Sequence, residues 1–216
     1  SSGHSFILSL QRQRARNELF IQAIDEQLQV PLGSFSDHQI LVTDEDLESD
    51  EPVGGSLASR YQELRQSAPG KTKWLNSTVF KSTLRHDLAK DNEVITTLLT
   101  RFGSWDSTRD TKVNTLIDLL RGEHDGEKVL IFSEYKDTAD YVAEALEQAG
   151  IENVGLATGE STDPSDIARR FSPRSNRLPG QNVQDVKDPE DPIDVLVATD
   201  VLSEGQNLQD CDVIVN

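Results

Sequence analysis

The feature that most constrains the fold lies in the stretch IDVLVATDVLSEGQNLQDCDVIVN, from Ile193 to Asn216. Within it, Val195 to Ala198 is an unbroken apolar run between Asp194 and Thr199-Asp200. A run so short, with no polar alternation, predicts a strand buried on both faces, and so a parallel sheet covered by helices. Thr199 and Asp200 stand at its carboxyl end. A turn carrying Ser203, Glu204, Gly205 and Asn207 follows, and then a second apolar run, Val213 to Val215. Open parallel sheets bind ligands beyond the carboxyl ends of their strands. The polar residues after Ala198 therefore fall where such a fold keeps its chemistry.

The segments before this strand alternate in the way a parallel sheet requires. Ser107 to Leu120 carries Val113, Leu116, Ile117 and Leu120 at helical spacing, with Asp110 suited to the helix start and Gly122 to its end. Lys128 to Tyr135 reads as a strand. Lys136 to Gln148 reads as an amphipathic helix with Ala139, Val142, Ala143 and Leu146 inward, closed by Gly150. Asn153 to Ala157 is a second strand, ending at Thr158-Gly159, and Asp163 to Phe171 a second helix with Pro164 in its first turn. Ser172 to Pro192, with four prolines, predicts a long loop. Strand and helix alternate throughout, which predicts right-handed parallel crossovers.

The other half of the chain reads differently. Residues 1–4 look like a cloning remnant, and residues 5–105 like a helical region. Ser5 to Val30 has Phe20, Ile24 and Leu28 four residues apart, with Arg12, Arg14 and Arg16 as a small basic patch, a solvated face rather than a phosphate contact, and Pro31 and Gly33 as stops. Residues 37–55 are acid-rich with Pro52 and Gly54-Gly55, which predicts a mobile linker. Leu57 to Gln66 reads as a short helix. Gly70-Lys71-Thr72 imitates the tail of a phosphate-cradling loop, but Arg65 stands where that loop needs a glycine, and no buried strand precedes it. Trp74 to Phe102 reads as one or two helices, with an apolar side of Leu84, Leu88, Ile95, Leu98, Leu99 and Phe102 and a polar break at Asp91-Asn92.

Composition narrows the function classes. The net charge is −17, and it is uneven: residues 106–216 hold 24 acids against 10 bases. Such a field repels a phosphate backbone on average, so this region needs local contacts or a basic partner to bind one. An acid-rich surface also serves solubility alone. One cysteine, Cys211, excludes an internal disulfide and reads as a small core residue, and four scattered histidines show no metal spacing. No apolar stretch is long enough for a membrane span and no signal peptide opens the chain, which fits a cytoplasmic location. The absence of methionine and the end directly after a strand point to a fragment of a longer protein.

ATDVLSEGQNL, from Ala198 to Leu208, resembles motif V of superfamily-two helicases and translocases in its Swi/Snf-like spelling. KVLIFSEY, from Lys128 to Tyr135, resembles their motif IV, and DTKVNTLIDLL, from Asp110, resembles the helix that leads into it. Together they cover residues 110–216. The resemblance implies an α/β fold: the second of two RecA-like lobes, a parallel sheet of P-loop NTPase type with helices on both faces, preceded by a helical connector or insertion. It implies a partner lobe on the amino-terminal side, ATP and Mg2+ in the intact protein, and double-stranded DNA as the track. It assigns Thr199 to a backbone phosphate, with Ser133, Thr158 and Gly159 lining the same edge at neighbouring strand ends, where hydroxyls and amides contact phosphate without reading sequence. Gly205 and Asn207 would meet the nucleotide. Two departures stand out. Asp163, Pro164 and Asp166 occupy the region where many relatives carry an arginine, and motif VI, with its arginine fingers, is not present. The fragment is therefore expected to hold no catalytic residue, no metal ligand and no bound cofactor. The alternative is a non-catalytic, acidic partner-binding α/β module. A small phosphate- or nucleotide-sugar-binding enzyme of similar topology is a third reading, unsupported by any glycine-rich turn after Tyr135.

Overall fold

Two-sided burial organises the carboxyl-terminal half, as the apolar runs require. The computed structural model describes residues 2–32, 59, 61, 62, 65, 66, 73–103, 105–177, 179–202 and 207–216. In chain order its main elements are α1 (Gly3–Asp25), β1 (Gln29–Leu32), β2 (Lys73–Asn76), α2 (Leu84–Phe102), α3 (Thr111–Arg121), β3 (Val129–Phe132), α4 (Lys136–Gln148), β4 (Val154–Ala157), α5 (Pro164–Phe171), β5 (Val195–Ala198) and β6 (Val213–Val215). They fall into two units, one of residues 106–216 with the first five residues, the other Phe6–Trp105.

The first unit is a four-stranded sheet in the order β4-β5-β3-β6, with every neighbouring pair parallel. Successive side chains along a strand point to opposite faces. Val129, Ile131, Val195 and Val197 accordingly pack with Leu120 of α3 and Ala139, Ala143 and Leu146 of α4. Leu130, Leu196 and Ala198 pack on the other face with Ala157 and with Phe171 of α5. Gly155 has a packing reason: a Cβ there would lie 2.6 Å from Cδ1 of the buried Ile193. Asp110 caps α3, its Oδ1 accepting from the amides of Lys112 (3.1 Å) and Val113 (3.3 Å), and its Oδ2 accepts from the Tyr141 hydroxyl (3.1 Å). Asp163 caps α5 through the amide of Asp166 (2.9 Å), with Pro164 in the first turn. Gly3 and His4 open α1, and the His4 ring stacks on Tyr141 at 4.8 Å.

The second unit is not wholly helical, which corrects the expectation for residues 5–105. Gln29–Leu32 and Lys73–Asn76 pair antiparallel, Val30 opposite Leu75. Helix α1 ends at Asp25, well before Pro31. Its stop is Gln27 at φ 55°, with the Leu28 amide reaching back to the Ala23 carbonyl (2.8 Å) and the Gln27 amide to that of Ile24 (3.2 Å). This is a left-handed helix end built without glycine. Trp74 lies in a strand, not a helix. It meets Tyr61 edge-on at 5.0 Å, and both join Ala15, Leu19, Ala23 and Val30 in one core. Burial there, foremost, pushes the Tyr61 hydroxyl up to about 12. The expected polar break in α2 is absent, because Asn92 is used inside the unit: it accepts from Asn17 (3.0 Å) and donates to the Arg14 carbonyl (3.3 Å). The acid-rich segment 37–55 and Gly70-Lys71-Thr72 lie outside the described residues.

Candidate nucleic-acid interface

The register of the sheet brings three predicted residues to one edge. Ala198 of β5 lies opposite both Phe132 of β3 and Ala157 of β4. Ser133, Thr199 and Thr158 are therefore the first residues past a level ladder, in the spatial order Thr158, Thr199, Ser133. Adjacent strands lie about 4.8 Å apart, so the three tips span roughly 10 Å. The ladder runs one residue beyond the strands, with the Ser133 amide donating to the Ala198 carbonyl and the Thr199 amide to the Ala157 carbonyl, each at 2.9 Å.

This geometry corrects one expectation. The backbone amides of Ser133 and Thr199 are engaged by the sheet, and that of Thr158 by the Ser161 hydroxyl (2.9 Å). None is left to donate to a phosphate oxygen. The Ser133 hydroxyl donates to the Tyr135 carbonyl (3.1 Å), and Thr158 Oγ1 accepts from the Glu160 amide (3.3 Å). Among the described residues nothing hydrogen-bonds to the Thr199 hydroxyl. Thr158 and Thr199 are only 4% and 5% exposed, so each tip offers a narrow target. Gly159 is exposed, with an ordinary φ and open space where a side chain would stand. Neither backbone nor packing demands glycine there; a ligand lying close to the backbone would.

One base near this edge is paired. Lys136, the first residue of α4, places Nζ 2.9 Å from Asp140 Oδ2 and 3.2 Å from Glu160 Oε2. Partial burial is the largest single influence and disfavours its charge. The hydrogen bonds and charges of Asp140 and Glu160 together outweigh it, so the Lys136 pKa lies above the ordinary lysine value. Sequence inspection missed this residue: its partner Glu160 is 24 positions away, and only the strand order makes them neighbours.

The other predicted positions are elsewhere. Gly205 lies outside the described residues. Asn207 does not join the strand tips. Its Nδ2 donates to the Ser175 carbonyl (3.2 Å), its Oδ1 accepts from the Gln209 amide (3.3 Å), and its carbonyl accepts from Asn176 (2.6 Å). Asp210 fastens the same turn, accepting from the amides of Arg174 (2.7 Å) and Ser175 (3.0 Å) and bonding the Ser175 hydroxyl. These partners follow the carboxyl end of α5, whereas Thr158 precedes its amino end. The eight residues of α5 separate the two places by about 12 Å of helix. Arg169 turns back to Asp166 (3.3 Å), and Arg170 holds Asp191, so neither reaches the tips in place of the missing arginine. Cys211 is partly buried beside the β6 entry, and that burial, foremost, raises its thiol pKa. Among the described residues no group of His, Cys, Asp and Glu side chains forms a metal site, and no helix is long and apolar enough to cross a membrane.

A parallel four-stranded sheet with helices on both faces is the arrangement of a RecA-like lobe. Residues 111–216 match the family model of the helicase conserved C-terminal domain, and this part of the chain is a helicase C-terminal lobe. No curated protein and no solved structure matches the chain.

Proposed function

We propose that the chain is the C-terminal lobe, with an accompanying second unit, of an ATP-dependent double-stranded DNA translocase of the Swi/Snf-like branch, working in the cytoplasm with an N-terminal RecA-like lobe. The observation that carries this is the level placement of Ser133, Thr158 and Thr199 at one edge of a lobe that matches the helicase family. Hydroxyls so spaced grip a backbone without reading bases, as movement along a strand requires. The DNA preference and the branch rest on the spelling ATDVLSEGQNL. Each polar atom of the Asn207 side chain makes one hydrogen bond within the chain and keeps one further N–H or lone pair for a ligand. ATP and Mg2+ belong to a cleft that the other lobe completes, and the chain alone is expected to hydrolyse no ATP.

The test is fluorescence anisotropy of a labelled 20-base-pair duplex titrated with the chain at low salt, beside single-stranded RNA of equal length. The wild-type chain is expected to bind the duplex more tightly than the RNA. Thr199→Val, which keeps the shape and removes the hydroxyl, is expected to weaken duplex binding about tenfold, the cost of one hydrogen bond to a charged group. Wild-type and variant chains that bind alike, or not at all, would leave the acidic partner-binding module as the better account. The excess of acids over bases in residues 106–216 is the observation in that module's favour.

A further inference from the structure

Thr158, Thr199 and Ser133 stand in that order along the edge, so a link between the segments after β4 and β3 joins strands on either side of β5. Such a link exists: Lys136, three residues past Ser133, reaches Glu160, two residues past Thr158, at 3.2 Å. Lys136 is the base nearest in sequence to any of the three tips. Other bases of the lobe are committed away from this edge. Lys128 donates to the Ile193 carbonyl (2.6 Å) and pairs with Asp194 (3.1 Å), Arg170 pairs with Asp191, and Arg121 donates to the Ala149 carbonyl. The base nearest the tips in sequence is thus already claimed by two carboxylates. Asp140 is on the same helix as Lys136 and can stay beside it. Glu160 is on another segment, its side chain 65% exposed, and can leave.

We propose that Lys136 is a phosphate-binding residue of the strand-tip track and that Glu160 occupies it until a nucleic-acid backbone displaces the carboxylate. Glu160 thereby acts as a built-in competitor for that cation. Phosphate and carboxylate compete for the same ammonium, and an exposed ion pair is weak enough to be exchanged. In a lobe with this excess of negative charge, one such competitor keeps non-specific phosphate binding low. The proposal rests on the nucleic-acid function given above and adds to it a second contact and its control.

A double-mutant cycle tests it, using the full chain and the same labelled duplex. Glu160→Gln is expected to tighten binding about two- to fivefold, the strength of an exposed ion pair. Lys136→Gln is expected to weaken it about fivefold and to flatten the slope of log K against log salt by about one, the signature of one lost phosphate contact. In the double variant the gain from Glu160→Gln is expected to vanish, because the cation it frees is gone. An equal gain in both backgrounds would mean that Glu160 acts only as bulk negative charge, and the proposal would fall. An unchanged salt slope for Lys136→Gln would reduce Lys136 to a fastening between α4 and the β4 tip. If Thr199→Val weakens binding while the cycle shows no coupling, this proposal alone fails. If the wild-type chain binds no nucleic acid, both fail.

Discussion

In β5 all four residues are buried, and in β3 three of four; in α2, Ile95 alone of nineteen is buried. The two units thus use their apolar residues in opposite ways. A strand covered by helices on both sides must be apolar at every position, so it writes an unbroken run into the sequence. A helix resting on one side shows only a partial stripe, and α2 leaves Val94 and Phe102 more than half exposed. The contrast explains why the lobe's strands stand out in the sequence as unbroken apolar runs, while α2 shows only a partial stripe.

The largest effect that could break this comparison is in the cores. Leu196→Ala, at a fully buried position between β3 and β4, is expected to cost about 3 kcal/mol, read as a fall in the urea midpoint of lobe unfolding with an unchanged slope. Ile95→Ala is expected to cost clearly less, about 2 kcal/mol at most, because its helix is covered on one side only. Equal losses would show that the second unit is as tightly built as the lobe. A smaller effect sharpens the comparison at helix starts. Asp110→Ala removes the cap of α3 and the partner of the buried Tyr141 hydroxyl, and is expected to lower stability by about 1–2 kcal/mol. Thr83→Ala, at an α2 start with no side-chain cap bond, is expected to stay within about 0.5 kcal/mol in the same urea titration.

The legible parts of the fold follow the same rule. The bounds of α4 and β5 could be read directly, because amphipathic spacing or two-sided burial marks each residue, and Val213 to Val215 was legible as an apolar run although Ile214 of this edge strand is 66% exposed. The ladder of β1 and β2 could not. Each strand has four residues, one includes Pro31, and the partners are more than forty positions apart. The end of α1 was hidden because Gln27 takes the left-handed conformation that glycine usually signals. At the candidate interface, the strand tips were legible as positions and their common level follows from register. The engagement of their amides was not, since it depends on which strands are neighbours. Nor was the tie between Asn207 and Ser175, which exists because the chain after α5 folds back beside the β5–β6 connection.

The central claim is that one edge of the lobe, at the three level strand tips, grips a nucleic-acid backbone. The most direct measurement is a backbone amide NMR titration of the full chain with the unlabelled 20-base-pair duplex. The account predicts that shift changes concentrate on Ser133, Lys136, Thr158, Gly159, Glu160 and Thr199, with Asn207 and Asp210 unmoved. Shifts centred on Asn207 and Asp210 beyond the far end of α5, or no shifts at duplex concentrations that saturate the anisotropy signal, would contradict it.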